Sequence, residues 1–305
     1  SSRFSFVNYL KAHGRLVDFI NLGTFYPCRM EYNDYLRWVA VQFAEQSRYG
    51  EQVLRVEPVV EADGRVQRLN VISQNQQGRE VSRQTRSVIV STGGTPKIPP
   101  AFAGFKDDPR VFHHARYLSA MATQACNRGE SMRIAVVGAG QSAAEAFIDL
   151  SDNYPNVQVD MILRAAVLKP ADDSPFVNEI FGPDYTDLVF NQPETERERL
   201  IREYHNTNYS VVDLDLIERI YGIFYRQKVS GSERHAFLCR RMIESAIDVD
   251  GRVQLQLRDL ATGSSEARRY DAVILATGYE RRSHRELLAP LKDYLDDFRV
   301  DRDYQ

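Results

Sequence analysis

The chain is poor in the features that define several common classes. Its 305 residues hold three cysteines, Cys28, Cys126 and Cys239, an odd number at scattered positions. That pattern fits a reducing compartment and speaks against a disulfide framework or a zinc site. No apolar run reaches the length of a membrane span, and the first residues carry no signal-peptide pattern. Neither charge sign dominates: 39 basic residues stand against 42 acidic ones, for a net charge of -3. Such a balance gives no long-range pull toward nucleic acid or an anionic membrane. There is no GxSxG elbow and no P-loop, and His113-His114 lacks the i, i+4 spacing of helical metal ligands. The expectation is a soluble, cytoplasmic protein without nucleic-acid partners, integral membrane segment or metal. With 43% hydrophobic content it can bury a sizeable core, in two domains or in one domain inserted into another.

What is present centres on Gly138-Ala139-Gly140-Gln141-Ser142-Ala143, which follows the apolar run Ile134-Ala135-Val136-Val137 and precedes a helix-forming segment. This reads as the strand, turn and helix of a dinucleotide-binding unit. Gly138 makes the tight turn, Gly140 admits a pyrophosphate to the backbone, and Ala143 permits close packing of helix on strand. The pyrophosphate would rest on the free N–H groups of the helix N-terminus. A glycine turn without a ligand is the competing reading, and the surroundings have to decide.

Upstream, Tyr32, Tyr35, Leu36, Val39 and Phe43 keep the rhythm of an amphipathic helix, predicted to face a core. Residues 53–60, 66–72 and 81–90 alternate in hydropathy and are separated by Asp63-Gly64 and Gln77-Gly78, which predicts a three-stranded antiparallel meander. Its end, Ser87-Val88-Ile89-Val90-Ser91-Thr92-Gly93-Gly94, reads as a buried strand running into a glycine pair. Ala272-Val273-Ile274-Leu275-Ala276-Thr277-Gly278 repeats that design downstream. Two apolar strands ending in Thr-Gly, one on each side of the glycine motif, predict one nucleotide-binding domain inserted into another, with a flavin outside and a nicotinamide within. Two simple strand-to-loop exits are the alternative.

Beyond the helix, residues 157–163 form a predicted strand that ends at Arg164, 26 residues after Gly138 where about 20 is typical. A binder of the unphosphorylated cofactor usually places Asp or Glu there; a guanidinium suits a 2′-phosphate, so NADPH is expected over NADH. A polar loop with two prolines follows, residues 169–179, then a highly charged helix over 194–203 and a second amphipathic helix marked by Leu216, Ile217, Ile220, Tyr221 and Phe224. Asn178 and Asn208 are candidates for orienting a small zwitterion, since an amide both donates and accepts. On spacing alone each also reads as a turn or cap residue.

Several blocks together carry a family resemblance: Phe4-Ser5-Phe6-Val7-Asn8-Tyr9-Leu10, Phe25-Tyr26-Pro27-Cys28-Arg29-Met30-Glu31-Tyr32, the glycine motif, Asp173-Ser174-Pro175-Phe176-Val177-Asn178-Glu179, His205-Asn206-Thr207-Asn208-Tyr209 and Ala276-Thr277-Gly278-Tyr279. Over essentially its whole length the chain resembles the L-ornithine N5-monooxygenases of siderophore biosynthesis, of the pyoverdine type. The resemblance implies an α/β two-dinucleotide-binding flavoprotein fold, with an NADPH-binding Rossmann domain inserted in an FAD domain. It implies NADPH- and FAD-dependent N5-hydroxylation of L-ornithine by O2 through a C4a-hydroperoxyflavin, in a homotetramer. Gly138, Gly140, Gln141 and Ser142 would line the pyrophosphate and Arg164 the 2′-phosphate. Arg29 would lie near NADPH, Asn178 would bind the amino-acid end of ornithine, and Asn208, the residue nearest the chemistry, would sit between substrate and nicotinamide. Thr277 and Gly278 would mark the return toward the flavin domain.

The expected division is residues 1–98 for part of the FAD domain, 99–276 for the NADPH domain with its substrate loops, and 277–305 for the return. Family members begin with a glycine-rich FAD fingerprint and end in a Ser/Gly-rich segment. Neither is found in this sequence, which is therefore expected to be an internal portion that holds flavin weakly. Lysine N6-hydroxylation and an inactive NADP(H)-binding fragment are the alternatives.

Overall fold

The computed structural model describes residues 2–207 and 209–295. The chain divides into two compact units, Ser1–Gly93 with Arg282–Gln305, and Gly94–Arg281. These divisions differ from the sequence-based boundaries at 98/99 and 276/277.

In the first unit, helices α1 (Phe6–Ala12), α2 (Leu16–Asn21) and α3 (Arg29–Val41) are joined by aromatic packing. Ser5 begins α1 by accepting from the Asn8 N–H at 3.3 Å, the usual service of an N-cap serine. Phe6 meets Phe19 and Tyr35 edge-on, and Tyr9 lies against Trp38. The Tyr9 hydroxyl donates to Asp34, and Arg15 donates to the same hydroxyl. The stripe on α3 is less covered than its periodicity predicts. No residue of that helix is fully buried, and Tyr32 and Leu36 stay about half exposed. The contacts of α1 with Tyr32, Asp34, Tyr35 and Trp38 cover that stripe only in part, so periodicity located the helix but not the depth of its burial.

The meander follows as β1 (Glu51–Val60), β2 (Val66–Asn75) and β3 (Glu80–Thr85), antiparallel and in that order. Gly64 and Gly78 take positive φ at the two turns, as the Asp-Gly and Gln-Gly pairs require. The third strand is shorter than expected. Residues 87–91 are in no strand, and Ile89 is 94% exposed. The predicted buried strand there is corrected for a simple reason: no described strand lies beside it to take its main-chain hydrogen bonds, and apolar side chains alone do not make a ladder.

The second unit is built on a five-stranded parallel sheet. Its chain-order elements are β4 (Thr95–Pro96), β5 (Val111–His113), α4 (Tyr117–Met121), β6 (Met132–Val137), α5 (Gln141–Asn153) and β7 (Val157–Ile162). Then come α6 (Pro175–Asn178), α7 (Pro183–Phe190), α8 (Glu194–Glu203), α9 (Leu214–Ser230) and β8 (Ala236–Leu238). An antiparallel meander, β9 (Arg241–Val249), β10 (Arg252–Asp259) and β11 (Ser265–Tyr270), leads into β12 (Ala272–Leu275) and β13 (Tyr279–Glu280). The parallel order is β5-β12-β6-β7-β8.

Alternation sorts the sheet's residues onto two cores. Ile134 and Val136 of β6, with Ile274 of β12, face Phe147 and Leu150 of α5 and Ile220 of α9. Ala135, Val273 and Leu275 face Val253, Leu255 and Leu257 of the meander. Cover on both faces explains why these strands read as near-continuous apolar runs.

Two buried polar groups interrupt this apolar layer. Asp160, 2% exposed, accepts from Arg133 at 2.9 Å, Arg268 at 3.2 Å and the Tyr270 hydroxyl at 2.8 Å. His235, 6% exposed, accepts from the Val159 N–H through Nδ1 at 3.1 Å, while its Nε2 has no described partner. Burial, with Arg234 beside it, lowers the His235 pKa to about 4. The unfolded chain then binds this proton at a higher pH than the folded one, so stability is full above the ordinary histidine pKa and falls as pH drops from there toward about 4. The loss at this site is on the order of 2–3 kcal/mol between about pH 7.5 and about pH 4.5. His235→Asn keeps an acceptor and cannot titrate. Urea unfolding at the two pH values is expected to show a correspondingly smaller loss for the variant; an unchanged loss would refute the assignment.

Candidate functional site

The carboxyl ends of β6, β7 and β12 lie side by side, and the chain changes direction around β6, with β7 and β8 on one side and β12 and β5 on the other. In open parallel sheets ligands bind at such a crevice. Each strand leads into one predicted site segment: β6 into Gly138, β7 through Leu163 into Arg164, and β12 through Ala276 into Thr277 and Gly278. The Gly138 N–H donates to Ile162 O at 3.0 Å and the Ala276 N–H to Val137 O at 2.8 Å, which fixes the three exits against one another.

The two motif glycines serve different ends. Gly138 has φ +148°, and a Cβ there would stand 2.4 Å from Ala276 O, so this turn closes only without a side chain. Gly140 has an ordinary φ of -104° and opens α5. A Cβ on it would meet nothing nearer than Ser210 Cα at 3.8 Å and Val211 O at 3.9 Å. The fold therefore tolerates a side chain at 140. What glycine leaves open there is the approach to the first-turn N–H groups of α5, at Gln141 and Ser142, which have no acceptor within their own helix. Open N–H groups at the positive end of a 13-residue helix suit a pyrophosphate.

Arg164 is exposed and makes no hydrogen bond or ion pair with a described residue. A free guanidinium just past the second Rossmann strand fits a phosphate on the adenosine ribose. The Gln141 side chain, by contrast, turns to Asp213: its Nε2 donates to Asp213 Oδ2 at 2.7 Å and its Oε1 accepts from the Asp213 N–H at 2.9 Å. Asn178 is the last residue of α6, exposed, and donates from Nδ2 to Asp173 O at 2.9 Å, leaving its Oδ1 as an acceptor. Thr277 donates to Lys97 O, the Lys97 N–H donates to Gly278 O at 3.0 Å, and β13 pairs with β4. Arg29 opens α3 in the other unit, and Asn208 lies outside the described residues.

Three residues without a role in the sequence reading belong to this neighbourhood. Ala276 supplies the carbonyl that demands Gly138. Asp213 holds Gln141 from 72 positions away, a pairing that no local pattern announces. His113, at the end of β5, is 4% exposed; its Nδ1 accepts from the Ala115 N–H at 3.2 Å and its Nε2 faces Gly278 O at 2.9 Å. An Nδ1 that accepts leaves Nε2 as the donor, so the ring is neutral and pins the Thr277-Gly278 turn. Burial and the neighbouring His114 push the His113 pKa below its ordinary value, consistent with that state.

This is a nicotinamide-nucleotide-binding Rossmann unit inserted between the two chain segments of another unit. The chain matches, over residues 1–281, the family described as L-lysine 6-monooxygenase/L-ornithine 5-monooxygenase, and it belongs to that family. It is 64% identical over 305 residues to the L-ornithine N(5)-monooxygenase of Pseudomonas aeruginosa, covering 100% of this chain and 69% of that protein. The reduced form of the P. aeruginosa ornithine hydroxylase superposes with a TM-score of 0.92 at 63% identity, over 100% of this chain and 72% of the other. The ornithine N-hydroxylase of Kutzneria sp. 744, solved with reduced FAD, NADP+ and L-ornithine, gives a TM-score of 0.88 at 32% identity, again over 100% and 72%. The fold is thus the α/β two-dinucleotide-binding fold of flavin-dependent N-hydroxylases.

Proposed function

We propose that this chain serves the NADPH- and FAD-dependent N5-hydroxylation of L-ornithine by O2, which supplies hydroxyornithine for hydroxamate siderophores. The observation that carries this reading is the 64% identity to an ornithine N5-monooxygenase along the whole chain. In the overall reaction the side-chain amine gains one oxygen atom as a hydroxylamine, the second oxygen leaves as water, and NADPH is oxidised. Bound flavin and nicotinamide supply the oxygen activation and the hydride.

The protein's part is to hold and orient. Gly138, Gly140, Gln141 and Ser142 form the turn that would receive the pyrophosphate, on the open N–H groups at the start of α5. Arg164 would hold the 2′-phosphate through charge-assisted hydrogen bonds. Asn178 offers its free Oδ1 to the ammonium end of ornithine while Asp173 O keeps the amide in place. By the family resemblance Asn208 would sit between substrate and nicotinamide, Arg29 would lie near NADPH, and Thr277 with Gly278 would mark the return toward the flavin. None of these residues is a general base, so rate comes from positioning and from keeping water away. The units correspond to part of an FAD domain and an inserted NADPH domain, in a cytoplasmic homotetramer.

The test is an assay of hydroxylamine formed from ornithine and from lysine, with NADPH consumption followed in parallel and FAD supplied. Hydroxylated ornithine in proportion to NADPH is expected; peroxide with no hydroxylated amine would defeat the reading, and preference for lysine would move it to the family's other substrate. In the same assay Arg164→Ala is expected to raise the KM for NADPH about 10- to 100-fold and that for NADH less than about threefold, the scale of a lost charge-assisted pair. Equal losses would show that the 2′-phosphate does not meet Arg164.

A further inference from the structure

One short segment touches both loops of the candidate site. Val211 and Val212 are buried, and Val212 is tied to the start of the Asn178 loop: its N–H donates to Lys169 O at 2.9 Å, and its carbonyl accepts from the Ala171 N–H at 3.0 Å. Ser210 and Val211 are the residues that a side chain on Gly140 would meet. Ser210 has φ +60°, a left-handed conformation that a non-glycine residue holds only when its surroundings require it. Asn208 lies two positions before Ser210 in sequence.

The residue that closes this segment is Asp213. It stands immediately before α9, where aspartate is among the best N-caps, yet its side chain does not cap that helix. The carboxylate is turned onto Gln141, in the reciprocal pair at 2.7 and 2.9 Å. The forgone cap marks an alternative use for that carboxylate. Gln141 Nε2 also reaches Glu145 Oε1 at 3.3 Å, so its amide is engaged by protein groups on both ends.

From this geometry we infer that Gln141 and Asp213 form a latch that sets residues 210–213, and with them the start of the loop bearing Asn178, against the glycine turn. Gln141 then acts as a positioning residue whose side chain serves the protein, while only its backbone N–H serves the pyrophosphate. The inference rests on the functional reading above for the consequence it draws: a loosened latch lets the cofactor site and the Asn178 loop move independently, so NADP+ is held less tightly and reducing equivalents escape as peroxide.

The test uses the full chain with FAD supplied, as wild type, Gln141→Glu, Asp213→Asn and the double variant, each checked for native circular dichroism and melting. NADP+ affinity is measured by calorimetry, and coupling as hydroxylated ornithine per NADPH consumed. Gln141→Glu sets two carboxylates face to face and is expected to weaken NADP+ about tenfold and to lower coupling; Asp213→Asn keeps an acceptor for Nε2 and stays within about threefold of wild type. The double variant reverses the latch's polarity, with the asparagine amide donating to the glutamate, and is expected to recover most of both losses, the remainder reflecting the Glu145 carboxylate that Gln141 also reaches. If the double variant binds NADP+ as poorly as Gln141→Glu, the side chain meets the pyrophosphate directly and the latch is refuted; an unaffected Gln141→Glu refutes it as well. Should wild type bind NADP+ but hydroxylate no amine, the functional reading fails, while the calorimetric comparison still decides the latch.

Discussion

Gly138→Ala is expected to cost at least about 4 kcal/mol, enough to leave little folded protein at ordinary temperature. The added methyl would stand 2.4 Å from Ala276 O and 3.1 Å from both Ala276 C and Cβ. Those are main-chain and Cβ atoms of a segment whose own N–H is bonded to Val137 O, so it cannot step aside without breaking the β6–β12 ladder. A φ of +148° adds strain for any L side chain. Gly140→Ala, two residues on, is expected to change stability by less than about 1 kcal/mol, because its φ is ordinary and its nearest contacts are 3.8 and 3.9 Å. Its effect belongs to the ligand, with NADP+ weakened about tenfold or more as the methyl covers the N–H groups of α5. Urea unfolding and NADP+ calorimetry on the two variants separate the roles. A Gly138→Ala protein within about 1 kcal/mol of wild type would show that the turn has room the geometry denies.

Asp160→Ala is expected to cost about 3–5 kcal/mol. The variant leaves the Arg133 and Arg268 guanidiniums and the Tyr270 hydroxyl without their shared acceptor, on the face of the sheet that packs against the β9–β11 meander. Tyr270 is fully buried beside a carboxylate, and both effects hold its pKa above the ordinary tyrosine value, so it remains a hydroxyl donor, and among the described residues its one acceptor is Asp160. Asp160→Asn keeps the shape and one acceptor, and a smaller loss is expected of it. Denaturant unfolding of both variants checks the order; a loss below about 1 kcal/mol for Asp160→Ala would mean that solvent or rearranged side chains replace the carboxylate.

Much of this fold could be read from local pattern. The strand, glycine turn and helix at 132–153 and the meander turns at Gly64 and Gly78 rest on short-range rules of period and φ, and they stand where those rules put them. The failures share a physical cause as well. Whether residues 87–91 pair as a strand depends on a neighbouring strand, and whether the α3 stripe is buried depends on what covers it; neither is a property of the segment. At the site, the glycine turn and the exposed Arg164 were legible because a tight turn and a charge past a strand end are local features. The engagement of Gln141 by Asp213, of Gly278 by His113 and of Gly138 by Ala276 joins residues far apart in sequence, and it becomes visible only once the sheet sets those strand ends side by side.

The two-residue ladder of β4 and β13 has a consequence for the polymer as a whole. Thr95 pairs with Glu280 and Pro96 with Tyr279, so the path into the inserted unit and the path out of it form the stem of a hairpin. For the flanking chain, everything between those stems is a loop whose ends already touch. The entropy of closing a loop grows only with the logarithm of its length, and here the inserted unit closes it by folding. The flanking segments are thus relieved of the search that joining sequence-distant halves would otherwise demand, and they meet across a gap no wider than a turn.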